Sequence, residues 1–516
     1  MEKRQRNNKH KSNANNKNEV KVKRPTLSLQ KRNELGGLVG NLLQIGFKQA
    51  NSPKEEWQQF LDIQKILERV TVLESVLKRK STNDTAAARL SNIDAFYKWA
   101  TENGVKYDGV KISQFPDYDL GLEATRDIKK HEQLICIPRK LILSEENLDN
   151  DFNQSQFDSM SNLKLAYALM LETLKPLSFW KPYIDLLPDE YNTVLYYSVE
   201  DMEQLRGSNA LTQALRQCKS IARQYAFIYN IAQGAPHADK ISSLGQHFRE
   251  SFSYNLYRWA VSTVMTRENM IPRHPTDPAI ATWNGDTKQP SECIAALIPF
   301  WDMANHRHGE VTSYFNMETQ HMDSVAQADF KQGEQIFIHY GDRSNADLMI
   351  HNGFVNPSNP KDSVAIKLGL SSSDPLFAKR AQLLEMLQIS KFGELQLLPA
   401  PEYISPKLLG FVRVFNMQLE QLEHWIQSER PLDLLHIDCA LDTSIESKSW
   451  QFLQIRLMLL LRIFPTTLEE DEAQMAQHRE GELKLSYIVA MILEYRMLEK
   501  RILLNALDYA RQRTKA

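Results

Sequence analysis

The 516-residue sequence predicts an α+β protein in which a small β core is split by a helical insertion and followed by a separate helical domain. Three observations lead there. Between Gly121 and Leu143, "GLEATRDIKKHEQLICIPRKLIL" has short apolar stretches broken by charged turns, the pattern of two or three strands. Helical periodicity takes over from about Asn162 to Gly234, and strand character returns at "QADFKQGEQIFIHYG". After Pro375 nearly every segment is helical, up to the regular "LKLSYIVAMILEYRMLEKRILLNALDYARQR".

The chain is too long for one ordinary core, which suggests two or three domains. Its 42% hydrophobic and 24% charged content is that of a globular protein. A formal net charge of -2 argues against a nucleic-acid binder as a whole. Cys136, Cys218, Cys293 and Cys439 lie far apart with no CxxC, so they read as reduced thiols of a cytosolic or nuclear protein. No apolar run reaches the roughly 18 to 20 residues needed to cross a bilayer, and the first residues lack a signal peptide's hydrophobic stretch. A cytoplasmic, membrane-free monomer is the expectation, with a basic tail that can also serve nuclear import.

Residues 1–30, rich in Lys, Arg and Asn, are expected to be a disordered basic tail. Residues 31–88 form a helical arm. Within it, Ser52, Pro53 and Glu55 make a capping-box start, and Trp57, Phe60, Leu61, Ile63, Leu67, Val70, Leu73 and Leu77 recur at helical spacing. Lys78, Arg79 and Lys80 suit the negative end of that helix. "IDAFYKWATENG" reads as a second helix stopped by Gly104. The first part of the β core is assigned to 89–155, the helical insertion to 156–260, the second part of the core to 261–360 and the helical domain to 361–510.

The densest chemistry follows an apolar run in "AALIPFWDMANHRHGE", where Asp302, Asn305, His306 and His308 come straight after a segment that reads as buried. Asp302, His306 and His308 have side chains able to ligate zinc or iron, although no further cluster nearby adds to them. The same residues also fit a non-metal ligand pocket, or polar groups satisfied by backbone hydrogen bonds. In "GEQIFIHYGDRSNADLMIHNGF" a strand from Gln335 runs into Tyr340 and Gly341, where glycine permits a sharp turn. In "YRWAVSTVMTRENMIP", Trp259, Val261, Val264 and Met265 give a helix a buried face, and Arg267 and Asn269 lie where it ends.

Read in order, "YDLGLEATRDIKKHEQLICIPRK", "SFWKPYIDLLP", "RWAVSTVMTRENMIP", "ALIPFWDMANH" and "GEQIFIHYGDRSNADLMIHNGF" resemble the SET-domain methyltransferases of the Rubisco large-subunit methyltransferase group. Within that group they resemble the branch that methylates a histidine of actin. The resemblance spans roughly Arg89 to the C-terminus. It implies a pseudoknotted β SET core, a helical substrate-binding domain, S-adenosylmethionine as cofactor with S-adenosylhomocysteine as product, and no metal. It also implies actin as the protein substrate, with tele-methylhistidine formed. By motif position, the cofactor would be held by Arg89, Glu132, Gln133, Leu134, Arg267, Asp302, Met303, Ala304, Asn305, His306, Asn352, Gly353 and Phe354. Tyr340 matches the active-site tyrosine, Asn269 and Trp301 match residues shaping the imidazole pocket, and Arg343 matches a substrate-contacting arginine. The chain departs from that branch at Gln133 and Leu134, at His339 in place of another aromatic, at Asn352 in place of serine, and in a longer insert, Arg273 to Glu292. A SET-domain lysine methyltransferase and a non-catalytic protein-binding scaffold remain the rival readings.

Overall fold

The computed structural model describes residues 27–77, 85–148, 161–234, 243–274, 293–439 and 441–515. The basic tail up to Thr26, the basic run Lys78 to Lys80 and most of the Arg273 to Glu292 insert lie outside them.

The arm begins with a helix over Leu29–Phe47 and continues with one over Pro53–Leu73. Ser52 Oγ accepts the Glu55 N–H at 3.2 Å, as its sequence predicts. Glu55 reaches back to the N–H of Asn51 at 3.0 Å, one residue earlier than a capping box requires. Phe60, Ile63, Leu67 and Val70 are buried, and both arm helices pack on the insertion helix Ala210–Gly234. Just past the second helix, Glu74 is buried between the Tyr225 hydroxyl, donating at 2.6 Å, and the Tyr254 N–H, donating at 2.8 Å. Burial pushes its carboxyl up to about 7 against both bonds.

The β core consists of small sheets. One joins β1 (Lys106–Tyr107), β4 (Gln133–Pro138), β10 (His321–Val325) and β9 (Ser313–Asn316) in that order. A second runs β2 (Val110–Phe115), β3 (Asp119–Ala124), β11 (Gln335–Ile338) and β8 (Asn305–His306), with β11 and β8 parallel. A third is β5 (Leu143–Ser144), β7 (Cys293–Leu297) and β6 (Asn269–Pro272). Sequence reading found the strands around β3, β4 and β11 but passed over several others, β2, β6, β7, β9 and β10 among them. β6 is only four residues long and follows directly on a helix, which leaves no room for alternation to show.

A second apolar core gathers residues between Val364 and Ala510. It is not wholly helical. β12 (Val364–Gly369) and β13 (Phe392–Leu397) pair antiparallel, so the domain expected to be all-α carries one two-stranded sheet, while the rest of the described chain after Pro375 is largely helical as expected. The pairing in register with β12, which lies before Pro375, decides the conformation of Phe392–Leu397. The long helix Tyr487–Lys515 serves both bodies: Ile492 and Tyr495 belong to the first core, Leu503 and Leu507 to the second. Its Glu499 accepts the Asn209 N–H at 3.1 Å, and its Arg496 donates to the Gln204 carbonyl. Among the described residues, no helix is long and apolar enough to cross a membrane.

The two bodies also meet at Gly207, which has φ +86° and whose Cβ, if present, would lie 2.6 Å from Phe464 Cα. Gly333 has nearly the same φ, +85°, but open space around it. Gly333→Ala should cost about 1 kcal/mol for the left-handed backbone alone, and Gly207→Ala at least about 2 kcal/mol, because backbone must move as well. Urea denaturation of the two variants checks this, and equal losses would contradict the close approach.

Candidate active site

The polar residues reach the interior through three chain reversals. The helix Tyr254–Arg267 is closed by the Glu268 N–H donating to the Val264 carbonyl at 2.8 Å. Glu268 is already extended, so Arg267 ends the helix and Asn269 starts β6 opposite Ala296 of β7. After β7, Phe300 adopts φ +78°, a conformation that costs a non-glycine residue about 1–2 kcal/mol. Its fully buried ring packs against Phe96 and Tyr107. The turn Trp301–Met303 then swings the chain from the third sheet into β8 of the second. Lastly β11 runs out through Tyr340 into Gly341, with φ +94°, and on to Arg343.

Asp302 is the hub where these pieces converge. The Tyr183 hydroxyl donates to Asp302 Oδ2 at 2.5 Å, and Arg267 donates to the Asp302 carbonyl at 2.7 Å while its Nη1 lies 3.6 Å from Oδ1. Burial drives the Asp302 carboxyl up to about 6, opposed by Arg267 and Tyr183. Arg267 is held above its ordinary value: burial opposes its charge, and Asp302 with Tyr191 and Tyr183 outweighs it. Arg89 is 3% exposed, ion-paired to Asp119, and shifted down by burial.

Asn305 donates from Nδ2 to the Leu120 carbonyl at 2.9 Å, which ties β8 to β3. His306 accepts the Tyr340 N–H at Nδ1, 3.1 Å away, and the Tyr340 hydroxyl donates to the Ala304 carbonyl at 2.7 Å. Burial raises the Tyr340 phenol to about 12, so it stays protonated. Phe354 has its ring 6.1 Å from His306 and 6.4 Å from Tyr340. Gly353, at φ +79°, comes so close to the Asn192 backbone that a Cβ would lie 2.7 Å from it. Asn352 accepts from Arg343 at 2.9 Å.

These groups border a cavity of about 270 Å³ whose wall includes Arg267, Asn269, Trp301, Tyr340, Arg343 and Asn352. Asn269 Oδ1 accepts the Met270 N–H at 2.9 Å, which fixes the amide's orientation. Met270, Val311 and Tyr314 also line the cavity and are exposed, giving it an apolar rim. Glu132, Gln133 and Leu134 stand apart on and before β4 of the first sheet. Glu132 pairs with Arg126 at 2.6 Å, Gln133 donates to Asp323 at 3.0 Å, and Leu134 is buried in the core. Asp302, His306 and His308 do not come together as one metal-ligating group, because Asp302 turns inward to Tyr183 and Arg267.

Sequence reasoning missed Tyr183, Tyr191 and Glu268. Tyr183 lies within the quoted "SFWKPYIDLLP", yet a tyrosine in an apolar helical segment carries no sign of its partner 119 residues away. Glu268 sits beside Arg267 and Asn269 on the cavity wall, its carboxyl raised by burial.

His306 makes a measurable signature. Burial, with His339 and His308 nearby, lowers its ring to about 4, whereas the unfolded imidazole titrates near 6.5. The folded state therefore favours the neutral ring, and this contribution is whole above pH 6.5 and lost as pH falls toward 4. After allowance for partial exposure it amounts to about 1–2 kcal/mol. Urea midpoints at pH 7 and pH 4.5 should show that loss in the wild type and a smaller one in His306→Gln; an unchanged loss would mean the ring protonates freely.

The SET domain family matches residues 119–341, and the Rubisco LSMT substrate-binding family matches residues 371–503. The actin-histidine N-methyltransferase of Drosophila melanogaster is 44% identical over 505 residues, covering 95% of this chain and 92% of that protein. The actin-histidine N-methyltransferase of Homo sapiens is 36% identical over 488 residues, covering 92% of this chain and 77% of that protein. Among solved structures, Rubisco LSMT bound to AdoMet aligns with a TM-score of 0.64 at 20% identity, over 82% of this chain and 92% of that one. That likeness speaks for the fold.

Proposed function

The chain belongs to the family of the actin-histidine N-methyltransferases, and from that premise we propose that it transfers a methyl group from S-adenosylmethionine to a histidine of actin, giving tele-methylhistidine. The observation that carries the reading is the 44% identity to the Drosophila enzyme across 95% of this chain. The site agrees with it chemically.

The residues present suit the cofactor's charged end. Arg89 Nε, Arg267 Nε and Asp302 Oδ1 are buried atoms with no hydrogen-bond partner, and an α-amino acid head carries both the acceptors and the donors that such groups lack. We assign the cofactor to these three residues with Asn305, His306 and the Asn352 to Phe354 segment. Glu132, Gln133 and Leu134 enter that assignment only from their place in the motif. When bound, S-adenosylmethionine supplies a methyl group on a positively charged sulfur.

The chain's own residues do the positioning. Tyr340 stays protonated and is anchored on the Ala304 carbonyl, so it fixes geometry and does not serve as a base. Trp301, buried on the cavity wall, limits the space open to an imidazole. Asn269 Oδ1 has a second lone pair beyond the one held by Met270. Accepting the N–H of the non-reacting ring nitrogen there selects the tautomer whose other nitrogen has a free lone pair. Imidazole, with a pKa near 6.5, is mostly neutral at pH 7, whereas keeping a lysine neutral costs about 4 to 5 kcal/mol. A histidine acceptor therefore needs orientation and tautomer control rather than a strong base. The cytoplasm, where actin is abundant, is the proposed place of action, and we propose that the chain acts as a monomer.

Methyl transfer from labelled S-adenosylmethionine to unmethylated actin, with the modified residue located by fragmentation mass spectrometry, tests the reading. One modified histidine is expected, with Tyr340→Phe slower by about 100-fold and Asn269→Ala by about tenfold or more. The rate should level off above about pH 7. Label on a lysine, with a rate still climbing at high pH, would replace this reading with a lysine methyltransferase; absence of cofactor binding would leave the scaffold.

A further inference from the structure

β8 and β11 run parallel with His306 opposite Ile338, so the residues that follow them, His308 and His339, emerge side by side. Their rings stand 5.2 Å apart and nearly perpendicular, at 86°. The turn at Gly341 then brings Asp342 back toward them. One ligand atom from each of His308, His339 and Asp342 lies within 4.8 Å of the other two. His339 Nε2 is 3.4 Å from Asp342 Oδ1, close to the separation of about 3.3 Å between two ligands on a tetrahedral ion with bonds of about 2.0 Å. The His339 side chain is only 6% exposed, and its Nδ1 is buried without a hydrogen-bond partner. This group differs from the trio of Asp302, His306 and His308 that sequence alone offers.

We propose that His308, His339 and Asp342 bind one divalent transition-metal cation, with zinc the ion their donors suit best. Two imidazoles and one carboxylate are borderline donors of the zinc type, and three protein ligands leave a further position for water or an incoming group. The cation would pin the segment after β8 to the segment after β11. Both segments border the cavity, through Val311 on one side and His339 and Gly341 on the other, so occupancy stiffens its mouth. Lys361 competes for the site, holding the other carboxylate oxygen of Asp342 at 3.1 Å. The proposal concerns binding alone and does not depend on methyl transfer.

The test uses the full chain stripped with a chelator and titrated at pH 7.5 with zinc by calorimetry, and with cobalt(II) by its visible absorption. One saturable equivalent is expected. His308→Ala and Asp342→Asn, at exposed positions that circular dichroism can confirm as folded, should each weaken binding at least about tenfold. Lys361→Met should strengthen it several-fold by removing the competing charge. Absence of saturable binding up to millimolar zinc would overturn the proposal, and so would one-to-one binding that none of the three substitutions changes.

Discussion

Everything at the site depends on putting Arg267 and Asp302 inside an apolar body. Two such charges lose several kcal/mol each on leaving water, and their attraction returns only part of it. A pair of this kind is poor evidence of stability. It makes sense as a positioning device, because Arg267 also grips the Asp302 backbone carbonyl and so fixes the turn from which Ala304, Asn305 and His306 follow. The rest of the interior is arranged to tolerate it. Tyr183 supplies a hydroxyl from the insertion, the helix Tyr254–Arg267 stops at the arginine, and Phe300 accepts a left-handed backbone within an aromatic nest. The apolar run ahead of the polar cluster is thus the wall that keeps the charges in register.

The same enclosure explains why the cavity suits an acceptor that is already neutral. Tyr340 keeps its proton, and Arg343 donates a hydrogen bond to Asn352. Two acids line the wall: Asp302, tied to Tyr183 and Arg267, and Glu268 beside Asn269, its carboxyl raised by burial and Asn162 donating to it at 3.1 Å. Selectivity in such a place is a matter of shape and of which lone pairs face inward.

Much of this was legible beforehand, and the reasons differ by residue. The capped helix at Ser52, the stop at Gly104 and the strand into Tyr340 follow from local chemistry, which a sequence states directly. Arg267, Asn269, Trp301 and Tyr340 were found only through the ordered motifs, since nothing in their spacing declares a shared cavity. Tyr183 stayed hidden because its role is a long-range bond, and β13 because its conformation is decided by a partner strand earlier in the chain. The positive φ of Phe300 could not be read at all, as phenylalanine gives no hint of that backbone.

The helix Tyr487–Lys515 has a mechanical meaning. A rod of 29 residues rises about 1.5 Å per residue and is embedded at one end in each body. Its buried Arg496 and Lys500 both pair with Asp471 of the helix Leu468–Arg479, and Glu499 pins it to the insertion. Two modules sharing one continuous strut cannot rock freely about a linker, nor can either melt without stripping apolar surface from the other. Apolar surface shared along one helix therefore couples the unfolding of either module to that of the other.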